Sequence, residues 1–151
     1  MSDAYEYVAG VLKGPEAEAR GCRKLWNFSR WQPDIVCIRL MTNDNNGILE
    51  RDSYEQDREI AIRGAMALIR KVRKHNPRAK IVWILPGNDC RPELAAEAVR
   101  RVQEKGMKEV YDFTLPDYGP EDFGARWHPN AEYNRRIGLM LGEFLCEIQN
   151  A

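Results

Sequence analysis

The chain has 151 residues, enough for one domain with its own buried core. Apolar residues make up 44% of it and charged residues 30%, which is ordinary for a folded protein and argues against disordered, collagen-like and membrane-spanning classes. The 23 basic residues balance the 23 acidic ones, so no net field attracts nucleic acid or an anionic membrane surface. We therefore expect a single domain over residues 1–151 that binds neither nucleic acid nor membranes.

The sequence predicts alternating strands and helices after a weakly patterned amino-terminal segment. In this divergent segment, residues 1–25, Pro15–Lys24 could form a short helix, but no apolar run there could form a strand. Three apolar runs have the length and composition of buried parallel strands: Ile35–Leu40, Ile81–Leu85 and Val110–Phe113. Amphipathic helices are predicted at Tyr54–His75, at Pro92–Lys105, and from Asn130 or Ala131 to Ile148.

This alternation predicts the fold class. Strands separated by helices of this length form a parallel sheet with helices on both faces. The expected architecture is an α/β, three-layer α/β/α sandwich of the flavodoxin-like type. Three strands are fewer than the five or so usual for a sheet. A missing segment or a second copy of the chain could therefore cover an exposed sheet edge.

The cysteines indicate neither a metal site nor a disulfide framework. They are too scattered for a zinc motif and include no C-x-x-C pair, lying at Cys22, Cys37, Cys90 and Cys146. Cys37 lies within an apolar run, which predicts a small core residue. No signal peptide follows Met1, which favours the reducing cytoplasm. If Met1 is not the natural start, a secretory signal before it would make the protein secreted.

Polar residues follow the first predicted strand, where ligands bind in open parallel sheets. A strand-end Asn43 could donate hydrogen bonds to a developing alkoxide. The run Thr42–Gly47 is also typical of a simple turn, which is the commoner use of such residues. A calcium loop containing Asp44, Asn46 and Gly47 is disfavoured because Thr42 stands two residues before Asp44 and no Glu closes the loop at the required spacing. We expect no metal and no cofactor.

A second candidate lies just before the last predicted helix. His128 stands between Trp127 and Pro129, and the proline restricts the backbone next to an imidazole that could act as a base. Taken alone, this motif fits a capping or exposed loop histidine equally well. His75 lies in the charged end of a helix, and we assign it no role.

Together these blocks carry a resemblance. With Phe28–Asp34 before the first strand, Thr42–Asp44 after it and Gly124–Asn130 near the end, the chain resembles SGNH (GDSL-type) hydrolases over about residues 26–145. It is most similar in pattern to family 2 carbohydrate esterases, which remove O-acetyl groups from sugars. The resemblance implies that Asn43 is an oxyanion donor and that His128 is the general base. It also implies an acetylated saccharide or another small ester as ligand, contacted by Thr42 and Trp127.

The chain departs from the family pattern at three places. Met41 stands where the family has a glycine, and Ala125 and Arg126 stand where the family has the acid that orients the base. Asp122 or a backbone carbonyl could replace that acid. The Gly-Asp-Ser block of the nucleophile is missing, and none of the serines Ser2, Ser29 and Ser53 follows an apolar strand. The nucleophile is therefore unknown.

Three interpretations stay open. The first is the carboxyl-terminal part of an esterase domain, with little activity of its own because loss of a nucleophile removes about six orders of magnitude in rate. The second is a non-catalytic module that binds a carbohydrate or a protein. The third is a flavodoxin-like or response-regulator-like domain, which would need phosphate or flavin contacts that no Gly-rich loop supports.

Overall fold

The computed structural model describes residues 4–42, 54–85, 87 and 92–151. Its strands are β1 (Ile35–Ile38), β2 (Lys80–Leu85) and β3 (Val110–Thr114), and its helices are α1 (Pro15–Ala19), α2 (Tyr54–His75), α3 (Pro92–Glu104) and α4 (Ala131–Asn150). Short 3-10 turns lie at Phe28–Arg30, Pro120–Asp122 and Ala125–Trp127. The predicted order of strands and helices is confirmed.

Several element boundaries differ from the predictions by one or two residues, and the largest difference is at the end of α1. The strand β1 ends at Ile38, two residues before the predicted Leu40. The helix α1 ends at Ala19 and does not reach Lys24. Gly21 adopts a φ of 75°, a left-handed conformation that glycine tolerates and that ends the helical path.

The three strands form a parallel sheet in the order β1, β2, β3. Ile35 lies opposite Lys80, and Ile81 lies opposite Val110. The central strand β2 is buried from Ile81 to Leu85, which explains its nearly continuous apolar sequence.

Helices cover the two faces of the sheet unequally. Alternate residues of β2 point to opposite faces, so Ile81 and Trp83 pack with α2 and α3 while Val82 and Ile84 pack with α4. The first face buries side chains that include Ile62, Ile69, Val72, Leu94, Val99 and Val102. The second buries Tyr133, Ile137 and Ile148. The predicted three-layer α/β/α sandwich is confirmed.

The prediction that Cys37 is a core residue is wrong, because its side chain is exposed. Cys37 alternates with Val36 and Ile38, which pack towards α2 and α3, and so it points to the other face. The helix α4 packs there over β2 and β3. A cleft of about 500 Å³, lined by residues of β1, of α2 and of the segment 4–11, also lies beside Cys37.

The amino edge of the sheet, where the strands begin, is held by one arginine near the end of α2. The guanidinium of Arg73 donates hydrogen bonds to the backbone carbonyls of Ala79, Lys108 and Glu109, two of them at 2.9 Å. These carbonyls lie just before β2 and β3. Glu109 has a φ of 56°, so the arginine also stabilises a left-handed backbone at the start of β3.

The amino-terminal segment is attached at the same edge. The carboxylate of Glu6 lies 3.0 Å from Lys71 Nζ and 2.7 Å from His75 Nε2, both on α2. The His75 ring stacks on Phe28 with centroids 4.1 Å apart, and Phe28 stacks on Tyr5. These contacts bring together residues that are far apart in the sequence. Within the part of the chain that the structure describes, no helix is long and apolar enough to cross a membrane.

Candidate functional site

The loop that carries His128 leaves the carboxyl end of β3. The amide of Leu115 donates to the carbonyl of Leu85 at 3.0 Å, which keeps the start of the loop beside the end of β2. The hydroxyl of Tyr133, on α4, donates to the carbonyl of Pro116 at 2.6 Å. The loop therefore starts and ends against the carboxyl edge of the sheet, where ligands bind in this architecture.

The course of α4 fixes which edge His128 occupies. At the far end of the helix, the carbonyl of Ile148 accepts a hydrogen bond from the side chain of Lys80, the first residue of β2. At 1.5 Å per residue, the helix start at Asn130 lies about 27 Å away. The helix thus runs antiparallel to the strands, and His128 lies at the carboxyl edge.

Asn130 closes the loop onto the helix. Its side-chain oxygen accepts from the amide of Tyr133 at 2.8 Å, which makes it the N-cap of α4. Its side-chain nitrogen donates to the carbonyl of Glu121 at 2.8 Å. One residue therefore caps the helix and fastens it to the opposite side of the loop.

Asp122 is buried inside this loop with 5% of its surface exposed. Its carboxylate accepts hydrogen bonds from Arg136 Nη2, at 3.1 Å to each oxygen, and from the amide of Gly119 at 3.2 Å. The guanidinium of Arg136 holds the pKa of the Asp122 carboxyl below its usual range. The suggestion that the Asp122 carboxylate orients the base by direct contact is therefore wrong, because the carboxylate bonds to Arg136 and Gly119 instead of the His128 ring.

His128 is fixed through its backbone. Its carbonyl accepts from the amide of Gly124 at 2.6 Å, and its amide donates to the carbonyl of Ala125 at 3.2 Å. Arg126 has a φ of 54°, an uncommon left-handed conformation for a residue with a side chain. The His128 side chain is exposed, and no hydrogen bond joins its ring to the residues that the structure describes. The imidazole is therefore accessible to a ligand.

Gly87 brings the loop after β2 against the loop after β3. A Cβ atom built on this buried glycine would lie 2.7 Å from the carbonyl oxygen of Pro116 and 3.2 Å from the Cα of Asp117. Only a glycine allows the two backbones to approach this closely. The approach joins two strand-end loops at the edge that carries His128.

The loop after β1 is described as far as Thr42. Met41 has a φ of 77°, so the position where the family has glycine keeps a conformation that glycine favours. Its side chain is buried with the core between the sheet and α2. Thr42 is exposed, and the predicted oxyanion donor Asn43 lies outside the described residues, as does Asp44.

The other described candidate residues lie at opposite edges of the sheet. Trp127 belongs to the 3-10 turn Ala125–Trp127, and the stacking of its side chain on a sugar stays a prediction. Ser29 lies in the turn Phe28–Arg30, where its Oγ donates to Asn27 Oδ1 at 2.6 Å. Gln32, three residues on, bonds to the carbonyl of His75 at the amino edge. Ser29 is thus at the opposite edge from His128, and Ser2 and Ser53 lie outside the described residues.

Sequence reasoning missed the residue that contacts the buried acid. Arg136 follows Arg135 near the start of α4, and its residue type does not distinguish it from that neighbour. Helical periodicity gives one signal, because Arg136 is next to the inward-facing Ile137. Among the described residues, no group of three or more His, Cys, Asp or Glu side chains lies close enough together to hold a metal ion.

No protein-family model matches the chain. A cellulase/esterase of Acetivibrio thermocellus, CelE, is 28% identical over 133 residues, which cover 83% of this chain and 15% of the relative. An acetyl xylan esterase from the rumen bacterium Butyrivibrio proteoclasticus is 25% identical in structure-based comparison, with a TM-score of 0.87. That match covers 99% of this chain and 46% of the esterase.

A family two carbohydrate esterase from Clostridium thermocellum, solved in complex with cellohexaose, has a TM-score of 0.72 at 24% identity. The match covers 98% of this chain and 42% of that one, and at this identity it shows the fold alone. The chain therefore spans less than half the length of these relatives. The resemblance to family 2 carbohydrate esterases that the sequence predicts is confirmed.

Proposed function

From this similarity to family 2 carbohydrate esterases, we propose that the chain forms part of a carbohydrate O-acetyl esterase active site. In this site His128 is the general base and Asn43 is the oxyanion donor. The observation that carries the proposal is the loop of residues 115–130. It holds an exposed imidazole at the carboxyl edge of the sheet. Trp127 and Thr42, which flank these two residues in the sequence, are the proposed contacts to the saccharide.

The proposed reaction proceeds in two steps. A serine Oγ attacks the acetyl carbonyl, its proton passes to the free nitrogen of His128, and Asn43 donates to the oxyanion of the tetrahedral intermediate. The sugar oxygen leaves with the proton from His128, and an acetyl-serine ester remains. Water then attacks this ester with His128 again as base, which releases acetate and restores the serine.

The serine in this scheme comes from outside the described residues. Ser29 is bonded to Asn27 at the amino edge. His128 directly precedes α4, whose start lies about 27 Å along the helix axis from Ile148 at the amino edge. Such a separation prevents direct proton transfer, which needs about 2.6–3.2 Å between heavy atoms. Ser2 and Ser53 follow no apolar strand in the sequence. We therefore propose that a segment or polypeptide other than this chain supplies the nucleophile.

Turnover of p-nitrophenyl acetate tests the assignment of the nucleophile. The chain by itself should hydrolyse this ester no faster than the His128→Ala variant. The matched control is His75→Ala, which removes the other histidine at the opposite edge. Hydrolysis that is lost in His128→Ala but retained in His75→Ala would contradict the proposal that the serine is supplied from elsewhere. A further loss in Ser53→Ala would then identify that residue as the nucleophile.

A non-catalytic carbohydrate-binding domain is the second candidate function. Two observations favour it: Ser29 lies at the wrong edge, and the Asp122 carboxylate bonds to Arg136 instead of the His128 ring. The two candidates differ in their response when a serine-bearing partner polypeptide is added. Hydrolysis that then depends on His128 supports the esterase. Saccharide binding that persists in His128→Ala, without hydrolysis under any condition, supports the binding domain.

A further inference from the structure

The pair Asp122–Arg136 differs from its neighbour on the same helix. Arg135 bonds to Glu132 within α4, and both side chains are 65% exposed. Arg136 instead crosses from α4 to a carboxylate that is 7% exposed in the loop. Exposed pairs of the first kind contribute little to stability, whereas a pair with a buried member leaves an uncompensated charge when one partner is removed.

Arg136 is itself held in place. Its guanidinium lies over the ring of Tyr133 at 5.1 Å from the centroid. That ring is 1% exposed, and its hydroxyl donates to the carbonyl of Pro116. Arg136 therefore approaches the loop from a fixed direction, with the helix start on one side and the loop start on the other.

Backbone contacts connect Asp122 to the residue that carries the imidazole. The carbonyl of Asp122 accepts from the amide of Asn130 at 2.7 Å. Phe123 forms an antiparallel bridge with Pro129, and the amide of Gly124 donates to the carbonyl of His128 at 2.6 Å. These three cross-links start at Asp122 and lead to His128, so a displacement of Asp122 displaces the imidazole.

We propose that Asp122 and Arg136 form a positioning pair that sets the place and direction of the His128 ring by fixing the backbone of its loop. The Asp122 carboxylate bonds to Arg136 and Gly119 and not to the ring, so Asp122 acts through Asn130 and the Phe123–Pro129 bridge. The purpose of this positioning rests on the proposed function. The geometric claim, that the pair holds the loop, stands independently of it.

Arg136→Gln and Asp122→Asn should loosen the loop without loosening the sheet. In native-state hydrogen exchange, we expect the amides of Gly124, His128 and Asn130 to exchange about ten times faster or more. Arg136→Gln leaves the buried carboxylate without its charged partner, and Asp122→Asn removes the carboxylate that the guanidinium binds. The amides of β2 should keep their protection. The matched control Arg135→Gln should change neither group of amides.

The ring of His128 gives the readout that a merely structural role would not change. In both variants, the Cε1–Hε1 NMR signal of His128 should broaden, or its chemical shift should move towards that of a free histidine. The His75 signal should stay in place. Arg136→Lys keeps the positive charge but lacks the planar guanidinium. In this variant, the His128 signal should lie between its wild-type position and its position in Arg136→Gln.

Two outcomes would overturn the proposal. One is unchanged exchange in the loop of Arg136→Gln, and the other is an equal loss of protection in β2, which would make the pair a general stabiliser. All of these measurements use the free protein, so they are separate from the proposed function. An absence of saccharide binding with a protected loop would count against the function and leave the positioning pair intact.

Discussion

The two edges of the sheet are built differently. At the amino edge, the Arg73 side chain donates to carbonyls that precede β2 and β3, including that of the left-handed Glu109. At the carboxyl edge, the left-handed residues Met41 and Arg126 lie in the loops beside the candidate site. A side chain of α2 therefore fixes the strand starts. The left-handed Glu109 is supported by this charged donor, whereas the left-handed Met41 and Arg126 lie in the strand-end loops, where ligands bind in this architecture.

The largest expected effect is at the amino edge. Replacing Arg73 with Met leaves several carbonyls without their charged donor and should lower the free energy of unfolding by about 3 kcal/mol. Urea denaturation checks this value. Arg70→Met, an exposed position on the same helix, should change it by less than about 0.5 kcal/mol. An equal effect of the two substitutions would show that Arg73 does not stabilise this edge.

The next largest loss of stability is expected at the carboxyl edge. Gly87→Ala places a methyl group 2.7 Å from the carbonyl oxygen of Pro116, so the two loops must separate. We expect a loss of about 2 kcal/mol and altered NMR signals around His128. Gly138→Ala in α4 is the matched control, since nothing lies within 4 Å of its added methyl group. It should stabilise the protein by up to about 1 kcal/mol. Equal effects of the two changes would contradict the close approach.

A smaller effect is expected at Met41, where two terms oppose each other. Met41→Gly relieves a left-handed conformation that costs about 1–2 kcal/mol, but it removes a buried side chain that contributes about 1.5–3 kcal/mol. We therefore expect a net destabilisation of about 1 kcal/mol by urea denaturation. A stabilised variant would show that backbone strain outweighs packing at this loop.

The smallest effect is a pH dependence at the amino edge. Hydrogen bonds from His75 and Lys71 lower the pKa of Glu6 from 4.5 to about 2. Because the folded pKa is the lower one, the stabilisation is fully present above the unfolded pKa and is lost as the pH falls towards about 2.

The comparison of Glu6→Gln with the wild type checks this window. The gap between the two melting temperatures should be largest near pH 6 and should narrow between about pH 5 and pH 2. Glu18→Gln, at an exposed carboxylate on α1, is the control and should show little gap at any pH. A gap that stays constant across this range would rule out the contribution of Glu6.

Much of the fold could be predicted because its signals are local. The apolar run Ile81–Leu85 marks the central strand, and Asn130 marks the start of α4 through its capping oxygen. The exposure of Cys37 could not be predicted, since it depends on where α4 packs. The contact between Asp122 and Arg136 also escaped prediction, because it joins a loop to a helix through tertiary structure. The region of Asn43 lies outside the described residues, so that half of the site stays a prediction.

The most direct test of the central claim, that His128 belongs to a saccharide site, is an NMR titration of the free protein with an acetylated xylo-oligosaccharide. We expect a saturable shift of the His128 Cε1–Hε1 signal, while the His75 signal at the opposite edge stays constant. The shift should disappear when Trp127 is replaced by Ala. No shift of His128 at saturating saccharide, or equal shifts of both histidines, would contradict the account.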